Sequence, residues 1–178
     1  MSEPGATEAE WQALYVRLER PLYNLAYRYL WHSQEAQDAV HDAFLQLWVR
    51  RRTIRPDTAD RYLWVSVRNL SRKRRRWSRA KRFLSLSIWG DEELLALEGP
   101  QSPELDAASY QEHRLLRRAI DRLPEKLRSV LLLSEFAEMS YESIAELLSI
   151  PAGTVASRRH LAIKQLNSEL KRDCHEHA

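Results

Sequence analysis

The stretch from Leu123 to Leu170 constrains the fold most, because two short helical patterns in it flank a very tight turn. The first pattern runs from Tyr141 to Leu148 and the second from about Ala152 to Leu170, with Ser149-Ile150-Pro151 between them. Two helices joined this closely suit a helix-turn-helix, whose second helix enters the major groove of DNA. An ordinary helical hairpin with a solvated basic face would give the same pattern, so the spacing leaves both interpretations open.

The second helix of this stretch carries the side chains that a DNA-reading surface requires. Its polar and cationic residues are predicted to lie on the turns that face outward. They are Ser157, Arg158, Arg159, His160 and Lys164.

The composition favours helices and argues against several other classes of protein. Only 4 Gly and 7 Pro occur among 178 residues, and 44% of the chain is hydrophobic, so an all-α fold with a packed core is expected. There is no apolar run of the length that crosses a membrane and no secretory signal pattern, and the single cysteine, Cys174, excludes an intrachain disulfide. We therefore expect a cytoplasmic protein without membrane insertion.

The charge is distributed very unevenly, although the net charge is only +3. From Arg61 to Gly90 there are ten Lys or Arg and no acid, whereas Asp91 to Glu112 holds seven acids and no base. Such adjacent blocks of opposite sign indicate a basic binding surface followed by an acidic tether.

Hydrophobic periodicity divides the chain into two helical domains joined by an acidic, flexible linker. The predicted segments are a disordered N-terminus (1–9), a helical domain (10–82), the linker (83–109), the helix-turn-helix domain (110–172) and a tail (173–178).

Within these domains, local signals predict where helices begin and end. Pro21 should split the first helix in two or kink it, and Ser33 should cap a helix over residues 34–50. A further helix is expected from about Thr58 to Arg79, and Pro124 is predicted at the first position of the helix before the helix-turn-helix.

The helix over residues 34–50 has two different faces. Its buried face is predicted to comprise Ala36, Val40, Ala43, Phe44, Leu47 and Trp48. Its outer acids Glu35, Asp38 and Asp42 could bind a basic partner helix or could simply be solvated.

The basic helix that follows favours nucleic acid as its partner, over a merely solvated face or a membrane surface. Like charges packed this densely repel one another unless an anionic partner binds them. Trp64, Trp77 and Phe83 lie beside them and could stack on unpaired bases. A membrane-binding helix should show a continuous apolar face, which Arg72 to Arg82 lacks. Two basic surfaces on tethered domains can hold two DNA sites at once.

Other classes of protein explain less of the chain. No phosphate-binding loop or nucleophile elbow points to an enzyme, and no cofactor is implied. Cys174, His175 and His177 could bind a soft metal, but a disordered tail explains them as well. A plain helix-turn-helix regulator would account for residues 110–172 but not for the basic helix or the acidic tether.

Four motifs, in order, resemble the extracytoplasmic-function (ECF, group IV) sigma factors of bacterial RNA polymerase. They are Glu35–Trp48 (EAQDAVHDAFLQLW), Tyr62–Leu70 (YLWVSVRNL), Leu123–Leu133 (LPEKLRSVLLL) and Ser140–Arg158 (SYESIAELLSIPAGTVASR). The resemblance covers about residues 10 to 172 and implies a transcription initiation factor rather than an enzyme.

For the N-terminal domain, the resemblance implies recognition and melting of the minus-ten promoter element, with capture of a flipped base of the non-template strand. Asn69 matches the asparagine at that site, and Ile54 falls near where an aromatic often forms the pocket. The side chains assigned to the DNA backbone are Arg68, Arg72, Lys73, Arg75 and Arg76.

The resemblance also implies protein partners. Asp38, His41 and Asp42 lie where the family contacts the β′ clamp helices of core RNA polymerase, and the β flap is a second expected contact. An anti-sigma factor is expected to hold the free protein. The second helix of the helix-turn-helix would read the minus-thirty-five element. Three of its residues stand where basic residues are frequent in the family, namely Ala156, Leu161 and Ile163.

Overall fold

The computed structural model describes residues 8–86 and 107–176, and within them the side chains of residues 8–80 and 111–172. Every regular element in these ranges is an α-helix, which confirms the predicted all-α fold. In chain order the helices are α1 (Glu8–Leu30), α2 (Ser33–Val49), α3 (Pro56–Leu86), α4 (Ala107–Arg122), α5 (Glu125–Glu135), α6 (Tyr141–Leu148) and α7 (Ala152–Glu176). The chain divides into two compact units, Met1–Gln101 with α1 to α3 and Ser102–Ala178 with α4 to α7. None of the described helices is long and apolar enough to span a bilayer.

Unit one is a bundle in which α1, α2 and α3 each contact the other two. Its core consists of apolar side chains at helical spacing, among them Leu18, Leu22, Leu25, Ala36, Ala43, Leu47, Leu63 and Val67. α1 continues through Pro21 as one helix, so the alternative of two separate helices is wrong.

The junction between α1 and α2 is built differently from the prediction. Trp31 has a φ of 54°, a left-handed conformation that ends α1. His32, in extended backbone, is the N-cap of α2, and its side chain accepts a hydrogen bond from the Glu35 N–H at 3.3 Å. The prediction of Ser33 as the cap is therefore wrong, and Ser33 is the first residue of the helix.

Two predicted core positions on α2 are more exposed than expected. Trp48 is half-exposed, and the guanidinium of Arg51 lies 4.3 Å from the centroid of its ring. Phe44 is only partly buried and packs against Tyr15 at a centroid distance of 4.7 Å. Ala39, which the prediction omitted, is buried instead.

α3 is longer than predicted at both ends. It begins at Pro56, whose fixed φ and missing N–H suit the first turn of a helix. It continues to Leu86, so residues 83–86 are helical and do not belong to the linker. At the other end of the predicted linker, residues 107–109 are also helical, because α4 begins at Ala107. The remaining linker residues, 87–106, lie outside the described part of the chain.

Unit two is organised around α7, which contacts α4, α5 and α6. Its core holds Ala119, Ile120, Leu123, Val130, Leu131, Leu132, Leu133, Ile144, Leu147, Val155 and Ala162. α7 continues to Glu176, so the tail predicted from residue 173 begins as helix. Of the N-terminal segment predicted to be disordered, residues 8 and 9 are instead helical, because α1 begins at Glu8. Residues 1–7 and the side chains of the Cys174–His177 tail lie outside the described residues.

A buried arginine fixes the corner between α4 and α5. Arg128 donates hydrogen bonds to the carbonyl oxygens of Ile120 and Asp121 at 2.9 Å each, and to that of Leu123. It also pairs with Glu125 at 3.0 Å. Pro124 is the N-cap of α5, whereas the prediction placed it at the first position inside that helix. The guanidinium thus donates to carbonyls at the end of α4 and just beyond it, and the carbonyl of Ile120 also accepts from the Leu123 N–H at 3.2 Å.

The predicted helix-turn-helix is present as α6, a short turn and α7. Ser140 caps α6 by accepting a hydrogen bond from the Ser143 N–H at 3.2 Å. Ser149 ends α6 in the left-handed conformation, with φ of 54°. The Ile150 N–H donates to the Ala145 carbonyl at 3.0 Å, which closes the turn before α7 begins.

Candidate nucleic-acid interface

The exposed face of α7 is a row of four side chains. Ser157, His160, Leu161 and Lys164 are all exposed, and their spacing of three and four residues places them on one side of the helix. The Ser157 hydroxyl donates to the Thr154 carbonyl at 3.1 Å. These four side chains are here called the α7 row.

The two arginines of α7 lie beside this row, which corrects the expectation that all five predicted side chains face outward. Arg158 and Arg159 are only partly exposed. The Nε of Arg159 donates to Glu135 Oε1 at 2.7 Å, and this hydrogen bond raises the pKa of the Arg159 guanidinium above its ordinary value. Arg159 therefore joins α7 to the end of α5 in the free protein.

α3 carries two parallel rows of predicted DNA-binding side chains. Arg68, Arg72 and Arg75 recur at intervals of four and three residues, and so do Asn69, Lys73 and Arg76. The first row is partly exposed, whereas the second row is exposed. The Arg68 guanidinium also lies within 3.4 Å of the Asn69 side-chain oxygen. The structure thus brings all six residues onto one side of α3.

The aromatic residues near these rows differ in how far their side chains are exposed. Trp77 is 77% exposed and lies one turn beyond Lys73, so it extends the Asn69 row. Trp64 is buried in the core of unit one, so the prediction that it could stack on bases is wrong. The side chain of Phe83 lies outside the described residues.

Ile54 lies in the loop between α2 and α3, two residues before α3 begins, and is partly exposed. The carbonyl of Arg50 accepts hydrogen bonds from the N–H groups of Thr53 and Ile54 at 2.9 and 3.0 Å. It also accepts from the Thr53 hydroxyl at 2.9 Å. These bonds give the short loop a defined turn, with Ile54 at its end.

The acidic face of α2 is partly engaged by α3. Asp38 and His41 are exposed and line a groove between α1 and α2. Asp42 instead pairs with Arg74 of α3 at 2.6 Å, and Arg74 also donates to the Glu35 carbonyl at 2.7 Å. Arg74 therefore belongs to the inner side of α3 and not to the two rows of predicted DNA-binding side chains.

Arg74 is a residue that sequence reasoning missed, although a signal for it exists. Leu63, Val67 and Leu70 follow one another at intervals of four and three, and Arg74 is the next position in that series. This spacing places Arg74 on the inner face of α3 despite its charge. In the described part of the chain, no cluster of His, Cys, Asp and Glu side chains could hold a metal ion.

Comparison with known proteins agrees with this two-unit arrangement. Residues 14–82 match the family profile of sigma-70 region 2, and residues 113–166 match that of sigma-70 region 4. The RNA polymerase sigma-E factor of Streptomyces coelicolor is 34% identical over 138 residues, which cover 76% of this chain and 72% of that protein. The ECF RNA polymerase sigma factor SigW of Bacillus subtilis is 29% identical over 156 residues, 84% of this chain and 83% of its own.

A solved structure shows the same fold. It is the sigma factor RpoE from Bartonella quintana, crystallised in complex with the anti-sigma factor NepR. The TM-score is 0.59 at 19% identity, and the match covers 90% of this chain and 96% of that one.

Proposed function

The chain belongs to the ECF sigma factors of bacterial RNA polymerase, and from that membership we propose that its two units recognise the two elements of a promoter. Proteins of this family are initiation factors rather than enzymes. Unit one would bind and melt the minus-ten element, and unit two would read the minus-thirty-five element. The acidic linker would lie along the polymerase channel between the two contacts.

The observation that carries the proposal for unit two is the α7 row on a helix-turn-helix. The N-terminal turns of such a helix contact base edges in the major groove. From Ala152 to Ser168 the helix contains Arg158, Arg159 and Lys164 but no acid, so a phosphate backbone meets no like charge there. We assign base contacts to Ser157, His160 and Lys164, and a phosphate contact to Arg158. Arg159 can contribute only if it leaves Glu135.

For unit one, we assign different DNA contacts to the two rows on α3. Arg68, Arg72 and Arg75 would hold phosphates, because guanidinium groups bind phosphate oxygens in a bidentate manner. The exposed row of Asn69, Lys73, Arg76 and Trp77 would follow the non-template strand. Trp77 presents an open ring face on which an unpaired base can stack. Ile54, at the end of the preceding loop, would line the pocket for the flipped base.

α2 offers the surface proposed for core polymerase. Asp38 and His41 are exposed beside the groove between α1 and α2, where they can reach the β′ clamp helices. Asp42 lies on the same side of the helix, one turn from Asp38, and shares its charge with Arg74. The β flap would contact unit two.

An anti-sigma factor is the partner proposed for the free protein. The support is the fold shared with a sigma factor that was crystallised with such a factor bound. Since its target polymerase is cytoplasmic, we place the protein in the cytoplasm.

A transcription experiment tests the proposal. Purified protein is combined with core polymerase and fragmented genomic DNA of the source bacterium, and the run-off transcripts are sequenced. We expect a small set of start sites that share two spaced motifs and vanish when the protein is omitted. A plain helix-turn-helix regulator would instead bind duplex DNA tightly by itself and would produce no new start sites with core polymerase; that result would contradict the proposal.

A further inference from the structure

The exposed face of the reading helix carries an aliphatic side chain without a structural role in the fold. Leu161 lies on the α7 row and is 51% exposed. The inner face of the same helix is formed by Val155 and Ala162, both fully buried. Burial in unit two therefore does not account for a leucine at position 161.

We infer that Leu161 determines promoter specificity by contacting the C5-methyl group of thymine in the minus-thirty-five element. This inference rests on the proposed function of unit two. Thymine is the base that presents a methyl group in the major groove, and aliphatic side chains recognise it by apolar contact.

Within the α7 row, Leu161 is the one aliphatic side chain. Bidentate reading of guanine or adenine requires Arg, Lys, Asn or Gln facing the groove. In the turns up to Leu161 the only such residues are Arg158 and Arg159. Arg159 is bound to Glu135 at 2.7 Å, and Arg158 lies about 100° around the helix from Ser157. The α7 row up to this point thus offers a hydroxyl, an imidazole and an isobutyl group.

The position of Leu161 within the row also fits a groove contact. Ser157 lies one turn before it and Lys164 one turn after it, so polar groups flank it along the helix. An apolar docking site for a protein would require neighbouring apolar side chains, and the α7 row has none besides Leu161. A single leucine between a hydroxyl and an ammonium group matches one methyl group among polar base edges and phosphates.

The test removes the methyl group from the DNA. Holoenzyme assembled from the purified protein and core polymerase is bound to promoter duplexes in which deoxyuridine replaces thymidine at one minus-thirty-five position at a time. Loss of the contacted methyl should weaken binding about fourfold, the factor given by burial of one such group. Leu161→Ala should weaken binding to the thymidine duplex by a similar or larger factor and should no longer distinguish the two bases.

Leu45→Ala is the matched control, because Leu45 is a leucine of similar exposure (49%) on α2 of unit one. It should keep the full preference for thymidine. Circular dichroism melts of both variants should match the parent, since neither leucine is buried.

The outcomes separate the two proposals. If holoenzyme selects a minus-thirty-five element but deoxyuridine is tolerated at every position, or Leu161→Ala still prefers thymidine, the inference about Leu161 is wrong while the proposed function stands. A minus-thirty-five element without thymine overturns it equally. If unit two selects no element at all, the proposed function fails and the inference fails with it.

Discussion

Arg74 and Asp42 form an ion pair with an N–O distance of 2.6 Å that joins α3 to α2. The same guanidinium donates to the Glu35 carbonyl, so it is held at two points of α2. The carboxylate predicted to bind polymerase is thus oriented by a residue of the helix that carries the two rows proposed to bind DNA. A polymerase helix that contacts Asp42 would approach a charge that is already shared.

Charge reversal at Asp42 tests this surface. Asp42→Arg should abolish association with core polymerase, because it places a second guanidinium beside Arg74 and removes the acceptor. Stability should fall as well, because the partly buried Arg74 would lose its acceptor and face a like charge, so polymerase binding is compared at a temperature where the variant is folded. The measurements are co-purification with polymerase and thermal unfolding. Asp60→Arg is the control, because Asp60 also forms an ion pair between two helices of the same unit, with Arg17 at 2.6 Å, and is not among the residues proposed to bind polymerase. Equal polymerase binding by both variants would remove Asp42 from the interface.

Trp77 should matter for promoter melting. Trp77→Ala removes the exposed ring on α3, and base stacking on an aromatic side chain contributes roughly 1–3 kcal/mol. Open-complex formation by holoenzyme, followed with 2-aminopurine in the non-template strand, should decrease by a corresponding factor. Trp48→Ala is the comparison, because one face of that ring is covered by Arg51. Unchanged opening with Trp77→Ala would show that the ring does not stack on DNA.

His160 and Arg159 should respond differently to substitution. His160→Ala removes a member of the α7 row and should weaken minus-thirty-five binding by about 1–3 kcal/mol if it reads a base. Arg159→Ala should weaken it less, because Arg159 is paired with Glu135. Equilibrium binding of holoenzyme to promoter duplexes compares the two. A larger loss for Arg159→Ala would mean that this arginine exchanges Glu135 for DNA.

Arg128 should stabilise unit two strongly. Its side chain is only 4% exposed, so Arg128→Met removes the hydrogen bonds to the carbonyls of Ile120, Asp121 and Leu123 together with the pair to Glu125, and should cost about 3–5 kcal/mol. All six tryptophans precede residue 90, so tryptophan fluorescence reports on residues before unit two, whereas circular dichroism reports on both units. Urea unfolding should show an early loss of helicity without a change in fluorescence. Lys126→Met, an exposed cation on the same helix, should leave both curves unchanged.

The turn of the helix-turn-helix offers a stabilising substitution. Ser149 has φ of 54°, a conformation that costs a residue with a β-carbon about 1–2 kcal/mol. Ser149→Gly should therefore raise the free energy of unfolding of unit two by about 0.5–1 kcal/mol after the entropy of glycine is subtracted. Ser143→Gly, inside α6, should lower it by a similar amount. A decrease with Ser149→Gly would show that the serine side chain is needed in the turn.

Helix existence and order could be predicted from the sequence because they depend on local spacing. The apolar series in α1, α2 and α3 and the Ser149-Ile150-Pro151 turn are encoded by neighbours within a few residues. Ends were less predictable: His32 displaced Ser33 as the cap of α2, and α3 continued to Leu86 where a linker was expected. The start of a helix depends on which side chain accepts a hydrogen bond from a free backbone N–H, and several neighbouring residues are able to accept it.

The sequence by itself determined the all-α class, the helix-turn-helix, the separation of basic and acidic blocks and the motifs of an ECF sigma factor. Only the tertiary structure decided which charged and aromatic residues are available to a partner. It engaged Arg74 with Asp42, Arg128 with the end of α4 and Arg159 with Glu135, and it buried Trp64 while leaving Trp77 exposed. The physical reason is that helical spacing specifies the face of a helix, whereas the availability of a side chain depends on groups distant in sequence that packing brings within hydrogen-bonding distance.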